Sequence, residues 1–282
     1  MEYLAFSVLC SVIVSVILKI ARRNQIDIRQ AIAMNYFMAV GLTWFILSPA
    51  LPHQAQGQPW LVFVALGVLL PSIFLAMSRA VETAGIVRSD VAQRLSLFIP
   101  ILASFTIFGE YISIPLLISL AIAFLALCCL LYKPRNNTNN QRAVLFLLVV
   151  WVGYGVIDIL FKQMAKTGTA FPTGLIISFS LASTLMFIFL LLRRTHFDLR
   201  SILMGLLLGL FNFGNILFYI QAHQVFKENP TLVFTTMNIG VISLGTIVGA
   251  LLFKEKISHF NALGILLAIT AVCLLYFWAL RV

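Results

Sequence analysis

The link Phe108-Gly109-Glu110-Tyr111-Ile112-Ser113 stands between two apolar segments of helix length, within residues 86–132. The same arrangement recurs 145 residues later, where the link reads Phe253-Lys254-Glu255-Lys256-Ile257-Ser258. At this offset, without a gap, identical pairs include Glu110 with Glu255, Ser113 with Ser258, Ala123 with Ala268, Ala126 with Ala271 and Cys128 with Cys273. A charged link between two membrane-length segments, repeated in register, predicts an internal duplication.

The composition predicts an integral membrane protein, because 61% of the 282 residues are hydrophobic and only 10% are charged. One span needs about 20 apolar residues, so the chain has room for about ten short-looped spans. Continuous apolar runs favour helices over a barrel, which predicts an all-α, polytopic fold. The predicted spans are residues 3–20, 30–48, 59–79, 87–109, 114–132, 143–161, 171–192, 201–222, 231–253 and 259–280.

A polar run between the fifth and sixth spans has the composition of a flexible linker. It divides the chain into a first five-helix repeat, residues 1–132, a linker, residues 133–142, and a second five-helix repeat, residues 143–282. Because five is an odd number, the second repeat enters the membrane from the opposite face. The two repeats are therefore predicted to be inverted.

The distribution of basic residues predicts the orientation. Fourteen Lys and Arg residues lie beside the odd-numbered links, whereas four lie on the other side and Arg94 lies within a span. The odd-numbered links are thus expected in the cytoplasm and both termini outside, in a multi-pass protein of the inner cell membrane. The net charge of +10 follows from these flanking residues, so the lipid bilayer is the expected partner and nucleic acid is not.

The sequence gives little support for a metal site or a catalytic nucleophile. The four cysteines, Cys10, Cys128, Cys129 and Cys273, lie in apolar segments without metal-ligand spacing. The four histidines lie near span ends, without the HExxH spacing of a zinc enzyme. We therefore expect no metal, no cofactor and no enzymatic activity, with an intramembrane enzyme kept as the weakest alternative.

The two Glu-containing links resemble the Gly-Glu-x-hydrophobic-Ser motif of the EamA-like, ten-span members of the drug/metabolite transporter superfamily. The first span, with Ser11, Ser15 and Lys19, and the sixth, with Tyr154, Asp158 and Lys162, are similar to that family's first helix, which ends in a lysine. The loop between the second and third spans departs from the family, because residues 48–59 contain no Lys or Arg where the family usually has a basic run.

This resemblance implies a secondary transporter, an exporter or exchanger, that moves a small organic solute or metabolite such as an amino acid by alternating access. It also implies a cavity lined mainly by spans 1, 3, 4, 6, 8 and 9. The partners would be the solute and either a coupling proton, carried by Asp158, Asp90 or Glu82, or a counter-substrate. A non-transporting scaffold or sensor is the main alternative, and the oligomeric state stays open, a homodimer included.

Polar residues inside those spans are the candidates for binding the solute, because an ionisable side chain facing lipid is costly. The full set is Gln93, Arg94, Tyr154, Asp158, Lys162, Asn212, Asn215, Tyr219 and Asn238. Asp158 and Lys162 are four residues apart, so they either form a local ion pair or bind the substrate or a proton, unless Lys162 extends to the interface. Asn212 and Asn215 either join helices or line the cavity.

Asp90 and Arg94 have the same one-turn spacing, which predicts that the carboxylate neutralises the guanidinium. Together they either hold a cytoplasmic gate shut or leave Arg94 to face an anionic group of the substrate. Gating or coupling is assigned to Asp90, Arg79, Glu82 and Arg88. Glu110 and Glu255 are expected to stabilise the tight links, with Ser113 and Ser258 capping the helices that follow.

Overall fold

The computed structural model describes residues 2–49, 59–106, 114–131, 138–166, 170–226, 230–255 and 257–279, and this part of the chain is all-helical. The helices are α1 (Glu2–Arg23), α2 (Ile28–Leu47), α3 (Trp60–Ala84), α4 (Ile86–Leu95), α5 (Phe98–Thr106), α6 (Ile114–Leu131), α7 (Thr138–Lys166), α8 (Phe171–Leu192), α9 (Leu199–Val225), α10 (Pro230–Phe253) and α11 (His259–Ala279). We call α1–α6 the N-terminal half and α7–α11 the C-terminal half.

Seven helical segments in the described part are long and apolar enough to cross a membrane. They are Glu2–Arg23, Ile28–Leu47, Trp60–Ala84, Gln141–Phe161, Phe171–Leu192, Leu199–Val225 and Thr236–Phe253. Two shorter apolar stretches, Leu117–Cys129 and His259–Leu274, lie within α6 and α11. The prediction of an all-helical, multi-pass membrane protein is confirmed at this level.

The predicted span 87–109 is not one continuous helix, since a turn at Ser96 and Leu97 separates α4 from α5. Pro100 follows four residues after Ser96 and has no N–H to donate to the Ser96 carbonyl. That carbonyl instead accepts a hydrogen bond from the N–H of Ile99, three residues further on, at 2.9 Å. The missing donor coincides with the break between α4 and α5.

Reciprocal capping joins α2 and α9 where both helices begin. Asp27 caps α2 by accepting from the Arg29 N–H at 3.0 Å, and Asp198 caps α9 by accepting from the Ser201 N–H at 3.2 Å. The Asp27 N–H donates to Ser201 Oγ at 3.1 Å, and the Asp198 N–H donates to Gln30 Oε1 at 3.0 Å. These bonds bring the start of both helices to one end of the bundle. We call it the basic end, comprising residues 19–30, 78–88, 193–201 and 254–255.

The two halves interleave rather than lie side by side. Helix α2 packs on α8 and α9, α1 packs on α9 and α10, α7 packs on α3 and α4, and α6 packs on α11. The contact of α2 with α9 is close because Gly205 and Gly209 face Ala31, Met34 and Asn35 across it. Central helices from both halves therefore surround the middle of the bundle.

Some predicted links fall wholly or partly outside the described residues. The first link, 108–113 with Glu110, and residues 133–137 of the linker lie there. Residues 138–142, also assigned to the linker, form the first turn of α7 instead. Ser258 caps α11 as predicted, since its Oγ accepts from the Asn261 N–H at 3.1 Å.

Candidate functional site

A cavity of about 310 Å³ lies among the central helices. Its lining comes from α1, α2, α3 and α4 of the N-terminal half and from α7, α8, α9 and α10 of the C-terminal half. The volume is in the range of small-molecule sites in proteins. The lining includes Phe171, the first residue of α8, so the cavity extends toward the end opposite the basic end.

Arg94, near the end of α4, places a cation in the cavity wall. Its Nη2 donates to Ser11 Oγ of α1 at 2.6 Å, while its Nε is buried without a hydrogen-bond partner. Asp90, one turn earlier, accepts from Ser15 Oγ at 2.6 Å. Within the described residues, no ion-pair contact joins Asp90 and Arg94, although their charges still interact, so the neutralisation of Arg94 by Asp90 stays a prediction. Each of the two charged groups is hydrogen-bonded to a serine of α1.

Asp158 of α7 brings a carboxylate into the same cavity. Its side chain is exposed, yet it lines the cavity, so the exposure is to this interior space. Tyr154, one turn before it, and Tyr219 of α9 also line the cavity. Arg94, Asp158 and the two phenols therefore form the polar region of the cavity wall.

Asparagine side chains of α9 serve two purposes that the sequence presented as alternatives. Asn212 Nδ2 donates to Asn35 Oδ1 of α2 at 3.2 Å, and Asn215 Oδ1 accepts from Ser7 Oγ of α1 at 2.8 Å. Both asparagines also line the cavity. An amide offers both donors and acceptors, so one group holds the neighbouring helix while the rest of the amide remains for a ligand.

Aromatic side chains supply much of the apolar wall. They come from α3, α7 and α8, and the phenol ring of Tyr36 on α2 packs among them, 6.4 Å from Phe74 and 5.9 Å from Phe179 between ring centroids. The phenylalanines that line the cavity are Phe74, Phe161, Phe171 and Phe179. The site therefore combines charged and amide groups on one part of its wall with a large aromatic surface on another.

Comparisons with known proteins identify a close relative by sequence and a more distant protein by structure. An uncharacterized protein of Haemophilus influenzae is 55% identical over 285 residues, which cover 98% of each chain. The chain belongs to the family of that protein. No family model matches the sequence. A protein of known crystal structure is 14% identical, covers 99% of this chain and 97% of its own, and superposes with a TM-score of 0.62, so the fold is shared.

The structure brings together most of the residues selected from the sequence. Eight of the nine candidates for solute binding line the cavity, namely Gln93, Arg94, Tyr154, Asp158, Asn212, Asn215, Tyr219 and Asn238. The side chain of the ninth, Lys162, lies outside the described residues, and so does its predicted pairing with Asp158. Within the described residues, no group of three or more His, Cys, Asp or Glu side chains is placed to hold a metal ion.

The candidates for gating lie between this cavity and the basic end or at that end itself. Asp90 is buried beside the cavity, at 2% exposure, whereas Arg79 and Glu82 form an exposed ion pair of 3.2 Å at the basic end. Arg88 and Glu255 line a second cavity of about 230 Å³ there. Glu110 lies outside the described residues.

Sequence reasoning did not select two serines of α1 as candidates for the site. Ser11 and Ser15 entered only through the family resemblance, yet they hold Arg94 and Asp90. Their spacing of four residues places them on one face of α1, and Lys19 continues that face. A polar stripe of this kind in an otherwise apolar helix is the signal that could have selected them.

Proposed function

We propose that the protein is a secondary transporter of a small organic solute or metabolite, such as an amino acid, rather than an enzyme. The observation that carries the proposal is the cavity of about 310 Å³ lined by both halves of the chain, with Arg94 and Asp158 in its wall. In transporters built from internal repeats the substrate site lies between the repeats, near the middle of the membrane. A scaffold would have no need of charged groups around an interior space, since their burial is costly.

The proposal includes ten spans in two inverted repeats, as in EamA-like members of the drug/metabolite transporter superfamily. Under the exchange of the two halves, α1 corresponds to α7, α3 to α9, and the α4–α5 pair to α10. Packing is consistent with this exchange, because α1 packs on α9 and α10 while α7 packs on α3, α4 and α5. Two pairs of helices that correspond to each other in this exchange also pack together, α2 with α8 and α6 with α11.

The solute carries an anionic group that binds Arg94. Its guanidinium donates to a serine rather than to a carboxylate, and its Nε has no partner, so it retains the capacity for a charge-assisted bond. Asp158 then binds a cationic group of the solute or carries the coupling proton. In the inner membrane, the basic end faces the cytoplasm and both termini lie outside.

Counterflow into liposomes tests the proposal. The purified protein is screened against a panel of metabolites, amino acids included, first by thermal shift and then by counterflow. Arg94→Lys keeps the positive charge but loses the planar fork of donors, and Arg94→Ala loses both. We expect counterflow of at least one solute, reduced in Arg94→Lys and abolished in Arg94→Ala.

Leu97→Ala is a matched control, because Leu97 lies in the same cavity wall but has no polar side chain. It is expected to alter counterflow less than Arg94→Ala. Failure of the folded wild-type protein to bind or move any solute of a broad panel would count against transport. Equal loss in Leu97→Ala and Arg94→Ala would count against the role of Arg94.

A further inference from the structure

The carboxylate of Glu255, in the C-terminal half, caps a helix of the N-terminal half. Glu255 follows α10, and its backbone N–H donates to the Gly249 carbonyl at 3.0 Å. Its Oε1 accepts from the Ile86 N–H at 2.9 Å, and its Oε2 accepts from the Val87 N–H at 3.3 Å. A negative charge at a helix N-terminus satisfies free N–H groups and complements the helix dipole. The sequence predicted a role within the Glu255 link itself, whereas the bonds reach across to α4.

Lys19 of α1 completes the arrangement. Its Nζ lies 3.3 Å from Glu255 Oε1, and it also donates to the Val81 carbonyl near the end of α3 at 3.1 Å. Both side chains are largely withdrawn from solvent, at 24% exposure for Lys19 and 14% for Glu255. Ends or edges of α1, α3, α4 and α10 therefore meet at one ion pair.

The backbone leaves room for the Glu255 carboxylate at two glycines. Gly85 has a φ of 92°, and a Cβ there would lie 2.5 Å from Glu255 Oε2. A Cβ at Gly249 would lie 3.2 Å from the same atom. A side chain at residue 85 would strain the backbone and clash with the Glu255 carboxylate. The position of that carboxylate therefore depends on glycine at residue 85.

The ion pair lies at the basic end, next to the main cavity along α1. Ser15 and Gln93 are the lining residues of the main cavity that stand nearest to this end on α1 and α4. Lys19 and Glu255 line the second cavity, one helical turn further along. The hydrogen bond of Ser15 with Asp90 lies between the two cavities, so a buried polar contact is part of what separates them.

We propose that Lys19, Glu255 and the N-terminus of α4 form a latch that keeps the basic end of the cavity shut and opens during transport. The inference rests on the proposed alternating access. The contacts hold the end of α10 against α1 and the start of α4, so parting α10 from these helices at the basic end requires that the Glu255 carboxylate leave the Ile86 and Val87 N–H groups and Lys19. Polar bonds serve such a contact better than interlocked apolar side chains, because water replaces their partners when the helices part.

Thiol labelling in oriented membrane vesicles tests the latch without knowledge of the solute. Val14, which lines the cavity on α1, is changed to Cys in a background without the four native cysteines, and a membrane-impermeant maleimide is added from the basic end. Glu255→Gln and Lys19→Met are each expected to speed this labelling about tenfold, which corresponds to about 1.4 kcal/mol. Gly85→Ala, which displaces the carboxylate without changing any charge, is expected to do the same.

Asp27→Asn is the matched control at the same end. Asp27 pairs with Arg29 at 2.8 Å, and both residues belong to the N-terminal half. Its labelling rate is expected to equal that of the parent protein. Unchanged rates in Glu255→Gln and Lys19→Met would overturn the latch, and so would a rise from both ends of the protein, which indicates general loosening.

Counterflow of the same variants separates the latch from the function. Faster labelling from the basic end in a protein that moves no solute would support the latch as a conformational contact and overturn transport. Counterflow with unchanged labelling would support transport and overturn the latch.

Discussion

Replacement of Gly205 by Ala tests the close contact of α2 with α9, which joins the two halves away from the cavity. A Cβ at residue 205 would lie 2.5 Å from the Ala31 carbonyl oxygen and 2.6 Å from Met34 Cβ. The first distance is about 0.9 Å short of the 3.4 Å at which ordinary contact begins. The Ala31 oxygen belongs to the helix backbone, so relief of the clash requires the two helices to move apart.

The expected change in stability is the difference between two terms. Overpacking of a close contact costs about 1–3 kcal/mol. Alanine is about 1 kcal/mol more favourable than glycine within a helix, which offsets part of that cost. We expect Gly205→Ala to lose about 1 kcal/mol in the free energy of unfolding, or about 2–4 °C in Tm.

Gly41→Ala supplies the matched control, because Gly41 also lies within α2 but a Cβ there would meet nothing within 4 Å. Only the helix-propensity term applies, so its Tm is expected to rise by about 2–4 °C. Thermal unfolding of both variants in the same detergent measures the contrast. A Gly205→Ala protein as stable as Gly41→Ala would refute the reasoning that the glycine is required by helix contact.

Two further outcomes follow from polar contacts. Ser15→Ala leaves the buried Asp90 without the 2.6 Å bond, so we expect a loss of about 1–3 kcal/mol in unfolding free energy, measured by thermal unfolding against Ser72→Ala on an exposed face of α3. For Asp27, outside the spans, burial raises the pKa, but hydrogen bonds from Arg29 outweigh it and hold the pKa below its usual value of about 3.9. A lowered pKa gives stability that is present above about pH 4 and is lost as the pH falls through the folded value. The Tm of Asp27→Asn should therefore fall less than that of the wild type between pH 5 and the acid range, and parallel curves would contradict this account.

Much of the candidate site could be predicted from the sequence, because a polar side chain in the hydrocarbon of a membrane costs free energy. Polar residues such as Asn212, Asn215 and Asp158 are costly within an apolar span, so their presence alone suggests that they face an interior. The structure places all three in the cavity wall. The sequence alone was enough to place these three side chains in the interior, but the side chains that they contact did not follow from it.

Spacing within one helix did not reveal hydrogen-bond partners that stand on another helix. Asp90 and Arg94 are one turn apart, yet each binds a serine of α1 instead of the other. Glu255 was assigned to its own link, but its carboxylate reaches α4. The periodicity of a sequence describes neighbours at i+3 and i+4, and carries no information on which helices cross or at what height.

The sequence by itself determined that the chain is a bundle of apolar helices in a membrane, with basic residues at the helix ends and a few polar residues inside. Those properties depend on the composition of each segment and on the cost of exposing polar groups to lipid. Only the tertiary structure decided that α4 and α5 are separate helices, that serines of α1 bind Asp90 and Arg94, and that Lys19 and Glu255 meet. Such contacts join residues far apart in the chain, and they are settled by how closely helix backbones approach, as at Gly85, Gly205 and Gly249.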